Sequence, residues 1–191
     1  VHVYGISPNP AHEHLCILHI LRDQAERMSG LIYDMSSKKV LAELKDTFSV
    51  SWSSCGEYVY YCRAEHRKDG TIENILCRYS LSANEDTVLY THQGHAAYGL
   101  VYPMKEGGTV VEFAVDYHAG DMVIYEDENH MTKIPYDGNA RTYIGSDAQC
   151  HYFITDEEAT LGKIVAIEKG KDFHDKKTCI EETDEKLSQA G

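Results

Sequence analysis

Long apolar segments and prolines are both scarce in this sequence of 191 residues. No apolar run approaches the roughly 20 residues that a membrane-spanning helix needs, and the longest candidate covers only residues 15–21. The 4 prolines and a hydrophobic content of 42% argue against a disordered chain. We therefore expect a globular protein with a sizeable core and no membrane partner.

Basic residues are also in short supply. The chain has 18 lysines and arginines against 31 aspartates and glutamates, which gives a formal net charge of −13. Nucleic-acid affinity depends largely on basic side chains that neutralise phosphates, so we expect no nucleic-acid partner. The acidic balance favours basic or neutral partners, among them short basic peptides.

Paired cysteines are missing as well. The six cysteines form no CxxC pair, and most of them fall in apolar segments, where cysteine acts as a small hydrophobic residue. We expect them to be reduced, as in a cytoplasmic protein. The chain begins at Val1 without an initiator methionine or a signal-peptide pattern, so we expect it to start inside a longer polypeptide.

What the sequence does contain is a repeat. The segment 31–35 is echoed at 77–81 and 123–126, so that Tyr33, Tyr79 and Tyr125 lie 46 residues apart, and residues 164–167 form a weaker fourth copy. Each copy follows an apolar, β-branched or aromatic run and is flanked by shorter runs next to turn residues. Each unit therefore holds four strands joined by hairpins, which at this period is typical of a β-propeller blade.

These units divide the chain into four blades and a tail. We place the blades at residues 1–45, 46–94, 95–138 and 139–182, and we take residues 183–191 as a connection to a missing blade. The expected fold is all-β, with about four blades of four antiparallel strands in one partial propeller domain. Four-membered rings are at the low end of propeller sizes, so a fragment of a larger propeller is favoured over a self-contained ring.

An open arc of blades has a physical consequence. The outer faces of its first and last blades lack a neighbour, so apolar side chains on them stay exposed. We therefore expect the chain to self-associate through these faces.

One segment is ambiguous. Between residues 14 and 28, the apolar residues recur at three- and four-residue steps, which taken alone indicates an amphipathic helix. The repeat instead places a strand, a turn and another strand in this segment. We follow the repeat.

Four stretches resemble the propeller of the prolyl oligopeptidase family of serine peptidases, in particular its oligopeptidase B branch. They cover residues 5–10, 33–41, 50–61 and 154–167. The last stretch is the most specific, because it is similar to the family's pattern of an aromatic strand, a threonine, an acidic turn, an alanine and a basic residue before the next strand.

The resemblance implies both an architecture and partners. It implies a seven-bladed propeller over an α/β-hydrolase domain of the same polypeptide, which carries a Ser, Asp and His triad. It also implies a parent enzyme that cleaves short peptides, after basic residues in the oligopeptidase B branch. The propeller would restrict the access of large folded substrates.

The sequence offers no catalytic residue, cofactor site or metal site that we would assign. A nucleophile elbow needs a serine between glycines, and no G-x-S-x-G occurs. The imidazoles of His12 and His14, on either side of Glu13, could share a metal ion, as could those of His92 and His95. Neither pair has an identifiable third or fourth ligand. We interpret these histidines as turn residues and expect no cofactor.

Two hypotheses from different functional classes follow. The first is a non-catalytic propeller segment of a serine oligopeptidase, which gates substrate access to a hydrolase domain outside this chain. The alternative is a protein-interaction propeller that docks partners and has no enzymatic activity. A glycine-flanked serine in the continuation of the polypeptide would favour the first, and only further blades would favour the second.

Overall fold

The structure, a computed structural model, describes residues 2–22, 28–116 and 119–187. Within these ranges sixteen strands form four separate antiparallel sheets of four strands each, which we call blades 1 to 4. In every blade the order of the strands across the sheet follows their order in the chain. Such a sheet needs only hairpin connections, in agreement with the turn residues between the apolar runs.

Each blade takes its four strands from one continuous part of the chain. Blade 1 contains β1 (His2–Pro8), β2 (Leu15–Leu21), β3 (Met28–Asp34) and β4 (Lys39–Leu44). Blade 2 contains β5 (Thr47–Trp52), β6 (Tyr58–His66), β7 (Ile72–Ser80) and β8 (Glu85–Thr91). Blade 3 contains β9 (Tyr98–Pro103), β10 (Thr109–Asp116), β11 (Ala119–Tyr125) and β12 (Met131–Ile134). Blade 4 contains β13 (Arg141–Ser146), β14 (Cys150–Thr155), β15 (Lys163–Glu168) and β16 (Lys177–Ile180), with a 3₁₀ turn, Phe173–Asp175, before β16.

The predicted all-β fold with about four propeller blades is confirmed, and the blades form an open arc. The helical alternative for residues 14–28 is wrong for the described part, because Leu15–Leu21 is a strand and Met28 begins the next one. Residues 23–27 lie outside the described ranges. The self-contained ring is also wrong, since no core cluster of the described residues joins blade 4 to blade 1.

Asparagine and aspartate side chains fix several of the hairpin turns. Asp34, at the end of β3, accepts hydrogen bonds from the backbone N–H groups of residues 36 and 37, at 2.8 and 3.3 Å. Asp127 makes the corresponding turn in blade 3, and Asn9 and Asp147 do the same between the first two strands of blades 1 and 4. These side chains bond to N–H groups that the ladder leaves unpaired, so they end one strand and start the next.

The core consists of three apolar layers, one in the seam between each pair of neighbouring blades. The seam between blades 1 and 2 buries Leu15, Ile17, Ile32, Leu44, Trp52, Val59, Tyr61, Ile75, Cys77 and Tyr79. The seam between blades 2 and 3 buries Tyr60, Cys62, Leu76, Ala96, Val101, Val111, Phe113, Val123 and Tyr125. The seam between blades 3 and 4 buries Met104, Val110, Met122, Ile124, Ile134, Tyr143, Phe153, Val165, Ile167 and Phe173.

Strands in the middle of the arc are buried on both faces. In β6, Val59 and Tyr61 pack in the seam with blade 1, whereas Tyr60 and Cys62 pack in the seam with blade 3. Side chains alternate between the two faces of a strand, so a strand that is covered on both faces must be apolar at consecutive positions. This explains the continuous apolar run at residues 58–62.

Polar contacts also cross the first seam. The indole Nε1 of Trp52 donates a hydrogen bond to the carbonyl oxygen of Ser7 at 3.0 Å, and the side-chain amide of Asn9 donates to the carbonyl oxygen of Gly56 at 2.7 Å. Gly56 has a φ of 74°, and a Cβ atom there would lie 2.3 Å from the Asn9 Oδ1 atom. Only glycine fits this turn, which locks blade 2 against the loop after β1.

Replacement of Phe113 tests the importance of the seams. Phe113 is fully buried and stacks on the His92 ring, with the ring centroids 4.4 Å apart. We expect Phe113→Ala to lower the free energy of unfolding by about 3–5 kcal/mol, because it leaves a cavity between blades 2 and 3. Phe48→Ala is the control, since Phe48 is 45% exposed, and its loss should cost about 1 kcal/mol. Urea unfolding followed by tryptophan fluorescence measures both, and equal losses would contradict the prediction.

Candidate functional site

The two histidine pairs considered as metal ligands differ in their surroundings. His12 and His14 lie exposed in the loop between β1 and β2, with ring centroids 6.1 Å apart. His92 is buried in a seam, whereas His95 is exposed. Among the described residues, no group of three or more histidine, cysteine, aspartate or glutamate side chains is placed to hold a metal ion.

One serine and one histidine are in contact, which the sequence analysis missed. The Ser7 hydroxyl oxygen lies 2.8 Å from Nε2 of His19, and both side chains are partly buried between β1 and β2. An activated serine needs a base that a third group orients. In the part of the chain that the structure describes, the neighbour of the His19 ring is Tyr4, with ring centroids 5.9 Å apart, and no carboxylate contacts this ring. Among the described residues the pair therefore has no third member of a triad.

The six cysteines are all free, and three of them are buried. Burial raises the pKa of the Cys62 thiol to about 12 and that of the Cys77 thiol to about 11. Both therefore remain protonated at neutral pH and pack in the seams as small apolar groups.

A buried histidine lies in the seam between blades 2 and 3. The His92 ring stacks on Phe113, and its Nε2 atom is 3.8 Å from a carboxylate oxygen of Asp121 in blade 3. Burial lowers the pKa of His92, and the nearby carboxylate opposes this effect only in part. The imidazole is therefore neutral at pH 7.

A second buried histidine lies in the seam between blades 3 and 4, within a small charge cluster. The Nε2 atom of His151 is 3.6 Å from the Oε1 atom of Glu126, and the same oxygen is 3.8 Å from Nζ of Lys169. Lys169 also contacts Glu106 at 3.1 Å. Within the described ranges the His151 Nδ1 atom is buried without a hydrogen-bond partner. Burial lowers the pKa of this imidazole too.

The sequence alone does not reveal this cluster, because its members come from two blades. Glu106 and Glu126 belong to turns of blade 3, whereas His151 and Lys169 belong to blade 4. One signal was available, since a histidine inside the apolar run 150–154 predicts a polar group that is buried in a seam.

The arc ends in two apolar sheet faces. On blade 1, Ile6 pairs with Leu18 and Leu18 with Leu31, on the face opposite the seam with blade 2, and Ile6 is 63% exposed. On blade 4, Ile154, Ile164 and Ile180 pair across three strands on the face opposite the seam with blade 3. Ile180 is 48% exposed. Both faces have the composition of a seam without a partner blade.

The described residues, 2–22, 28–116 and 119–187, contain no helix of sufficient length and apolar character to cross a bilayer.

Comparisons with known proteins identify the fold. No family model and no curated protein matches the sequence. A solved prolyl endopeptidase structure is similar over 98% of this chain, with a TM-score of 0.75 and 15% sequence identity. Prolyl oligopeptidase B from Galerina marginata is similar over 98% of the chain (TM-score 0.75, 16% identity), and oligopeptidase B from Leishmania major over 95% (TM-score 0.70, 12% identity).

These likenesses define the class of structure. At 12–16% identity they show the fold alone, and this fold is the β-propeller region of the prolyl oligopeptidases. The matched chains are much longer, since this chain spans only 29%, 30% and 27% of their lengths. The chain thus has the fold of a propeller segment, similar to the propeller region of these enzymes.

The two buried histidines predict that acid destabilises the seams. Their pKa values in the folded chain lie below the ordinary value of about 6.5. Between about pH 6.5 and these lowered pKa values, the unfolded chain therefore binds more protons than the folded chain does. The stability that the two neutral histidines contribute is fully present above about pH 6.5, and it is lost as the pH falls towards the lowered pKa values. We expect a lower urea midpoint at about pH 5.5 than at about pH 7.5, and a smaller difference in His151→Gln.

His130→Gln is the control for this experiment. His130 is exposed beside Asp127, and a hydrogen bond from its ring raises its pKa, so it contributes with the opposite sign. The His130→Gln variant should therefore still lose stability on acidification, as the original chain does. An unchanged pH dependence in His151→Gln would contradict the prediction.

Proposed function

We propose that this chain is the non-catalytic propeller segment of a serine-type oligopeptidase that hydrolyses short peptides. The observation that carries the proposal is the likeness of nearly the whole chain to one region of prolyl endopeptidases and oligopeptidase B. In this proposal the propeller gates substrate access to an α/β-hydrolase domain of the same polypeptide. The catalytic serine, aspartate and histidine belong to that domain.

The gating role rests on the rigidity of packed seams. Blades that share close-packed apolar layers cannot separate without exposing those layers, so they form a stiff wall around a channel. A short peptide passes such a channel, whereas a folded protein does not. The formal charge of −13 favours basic peptides as substrates, because it raises their local concentration at the entrance. The six free cysteines fit a reducing, cytoplasmic location.

Further blades of a longer polypeptide cover the two end faces in this proposal. The exposed row on blade 1 and the isoleucine row on blade 4 then become seams like the three inside the arc, and a seven-bladed ring needs three more blades between them.

The complete protein that contains this chain provides the test of function. We expect a fluorophosphonate probe to label it and a short fluorogenic peptide with a basic residue before the cleaved bond to be hydrolysed. The same cleavage site within a folded protein should be cut at least about tenfold more slowly. The chain of 191 residues alone, as the control, should show neither labelling nor hydrolysis. A complete protein without either activity would favour the interaction propeller, and equal cleavage of both substrates would contradict gating.

The end faces make a second prediction, for the isolated chain. Its mass by light scattering should rise with concentration between about 5 and 100 μM, because apolar end faces associate in water. A double variant, Ile6→Lys with Ile180→Lys, should stay near the mass of a monomer, since it places a charge on each end face. Met131→Lys adds a charge on an exposed position of blade 3 and should associate as the original chain does. If the original chain stays monomeric over this range, the prediction that its end faces are uncovered and associate is wrong.

A further inference from the structure

Residues 169–176, which we call the strap, connect β15 to β16 and insert one side chain into the seam between blades 3 and 4. That side chain is Phe173, which is 4% exposed and whose ring centroid lies 5.9 Å from that of Phe153. The same connection in blade 2 consists of residues 81–84 only. A blade therefore does not need a strap of this length to join its last two strands.

The backbone of the strap makes few hydrogen bonds to the rest of blade 4. At its start, the N–H group of Lys169 donates to the carbonyl oxygen of Gln149 at 2.8 Å, and that of Lys171 donates to the carbonyl oxygen of Glu168 at 3.0 Å. For residues 172–175, the backbone hydrogen bonds found in the described ranges all have their partners inside the strap. A segment of this kind opens without breaking the pairing of any strand.

Side chains therefore hold the strap in place, and they do so at both of its ends. At the start, the Nζ atom of Lys169 contacts the carboxylates of Glu106 and Glu126, in turns of blade 3, at 3.1 and 3.8 Å. At the end, the Nζ atom of Lys176 contacts the carboxylate of Glu157, in a loop of blade 4, at 3.0 Å. Of these two lysines, Lys169 is thus the one that joins the strap to the neighbouring blade.

The carboxylate of Glu126 is shared between the strap and a buried histidine. Its Oε1 atom lies 3.8 Å from Nζ of Lys169 and 3.6 Å from Nε2 of His151, whose side chain is 3% exposed. The Nδ1 atom of this histidine is buried and, within the described ranges, has no hydrogen-bond partner. A neutral imidazole carries one proton, and a proton on the Nε2 atom that faces the carboxylate leaves no N–H group at Nδ1.

Protonation of His151 is unfavourable while the strap is closed, for two reasons. Both ring nitrogens then carry a proton, so an N–H group is buried at Nδ1 without an acceptor. The new positive charge also lies close to Lys169, and the two cations compete for Glu126. Release of the strap takes Lys169 away and lets water reach the ring. The released state therefore binds the proton more tightly, and acid favours release.

The charged groups that face His151 come from three directions. Burial has the largest effect and lowers the pKa of the imidazole. The carboxylates of Glu126 and Glu106 in blade 3, and that of Asp147 in the turn before β14, raise this pKa. Lys169 of the strap lowers it. Release of the strap relieves the two effects that lower the pKa and leaves the three carboxylates in place.

We propose that the strap is an acid-sensitive closure of the seam between blades 3 and 4, and that protonation of His151 releases it. In the closed state Glu126 pairs with Lys169. In the released state the protonated imidazole pairs with Glu126, and Phe173 leaves the seam with the strap. The strands of both blades keep their pairing, so release differs from the unfolding of the whole chain. This device does not depend on the proposed function.

Hydrogen exchange of the chain of 191 residues, followed by mass spectrometry of peptide fragments, measures the release. The N–H groups of residues 174–176 bond only within the single turn of the strap, which does not persist without packing, whereas those of β14 report on the sheet. We expect the opening constant of the strap, corrected for the intrinsic exchange rate, to rise at least about threefold from about pH 7.5 to about pH 5.5. It should exceed that of β14 at both pH values. Equal opening constants for the strap and β14, or no rise on acidification, would overturn the proposal.

Three variants separate release of the strap from a general loss of stability. Lys169→Gln removes the contact with blade 3 and should raise the opening constant of the strap at least about threefold at about pH 7.5. His151→Gln cannot be protonated and should abolish the pH dependence of the opening constant. His174→Gln is the matched control, because this histidine lies in the strap itself with its side chain 85% exposed, and it should keep the pH dependence.

Two results with these variants decide against the proposal. The first is a pH dependence in His151→Gln that equals that of the original chain. The second is an unchanged opening constant in Lys169→Gln, and this result decides alone if His151→Gln does not fold, because Lys169 is partly exposed and its replacement leaves the core intact.

Discussion

The whole structure depends on one constraint, which is that a four-stranded sheet with two apolar faces must bury both of them against neighbours. The blades share their core, since most of their buried apolar side chains lie in the seams between neighbouring blades. Consequently the two inner blades are buried on both faces, and the outer blades are each exposed on one. The position of a blade in the arc, more than its own sequence, therefore decides how much of its surface is covered.

The repeated tyrosines illustrate this dependence. Tyr79 and Tyr125 are buried because each one packs towards the blade that precedes its own. Tyr33 occupies the same place in blade 1, where it pairs with Cys16 and Val40 on the uncovered face, and it is only partly buried. The repeated tyrosine is thus a seam residue in blades 2 and 3, whereas in blade 1 it belongs to the uncovered face. The repeat itself was visible in the sequence because every copy must satisfy the same packing requirement.

The sequence therefore predicted the strands and their grouping into blades, since alternation, turn residues and period all reflect local structure. The helical pattern was misleading, because Leu15 lies in the seam while Leu18 lies on the opposite face of the same strand. The charge cluster around His151 was beyond prediction from the sequence. It is formed by two blades, and the distance between its members depends on how the blades pack, which no periodicity contains.

Seam packing also explains how a fold persists at 12–16% identity. The seams require apolar side chains at alternating positions and turn residues between strands, and many sequences meet these requirements. The connections between strands are less constrained, as the last hairpins of blades 2 and 4 show. The loop of residues 169–176 inserts Phe173 into the seam between blades 3 and 4, whereas the corresponding loop of blade 2 consists of residues 81–84 only. Because Phe173 belongs to a loop and not to a strand, a longer hairpin adds a buried ring to a seam while the pairing of the strands stays the same.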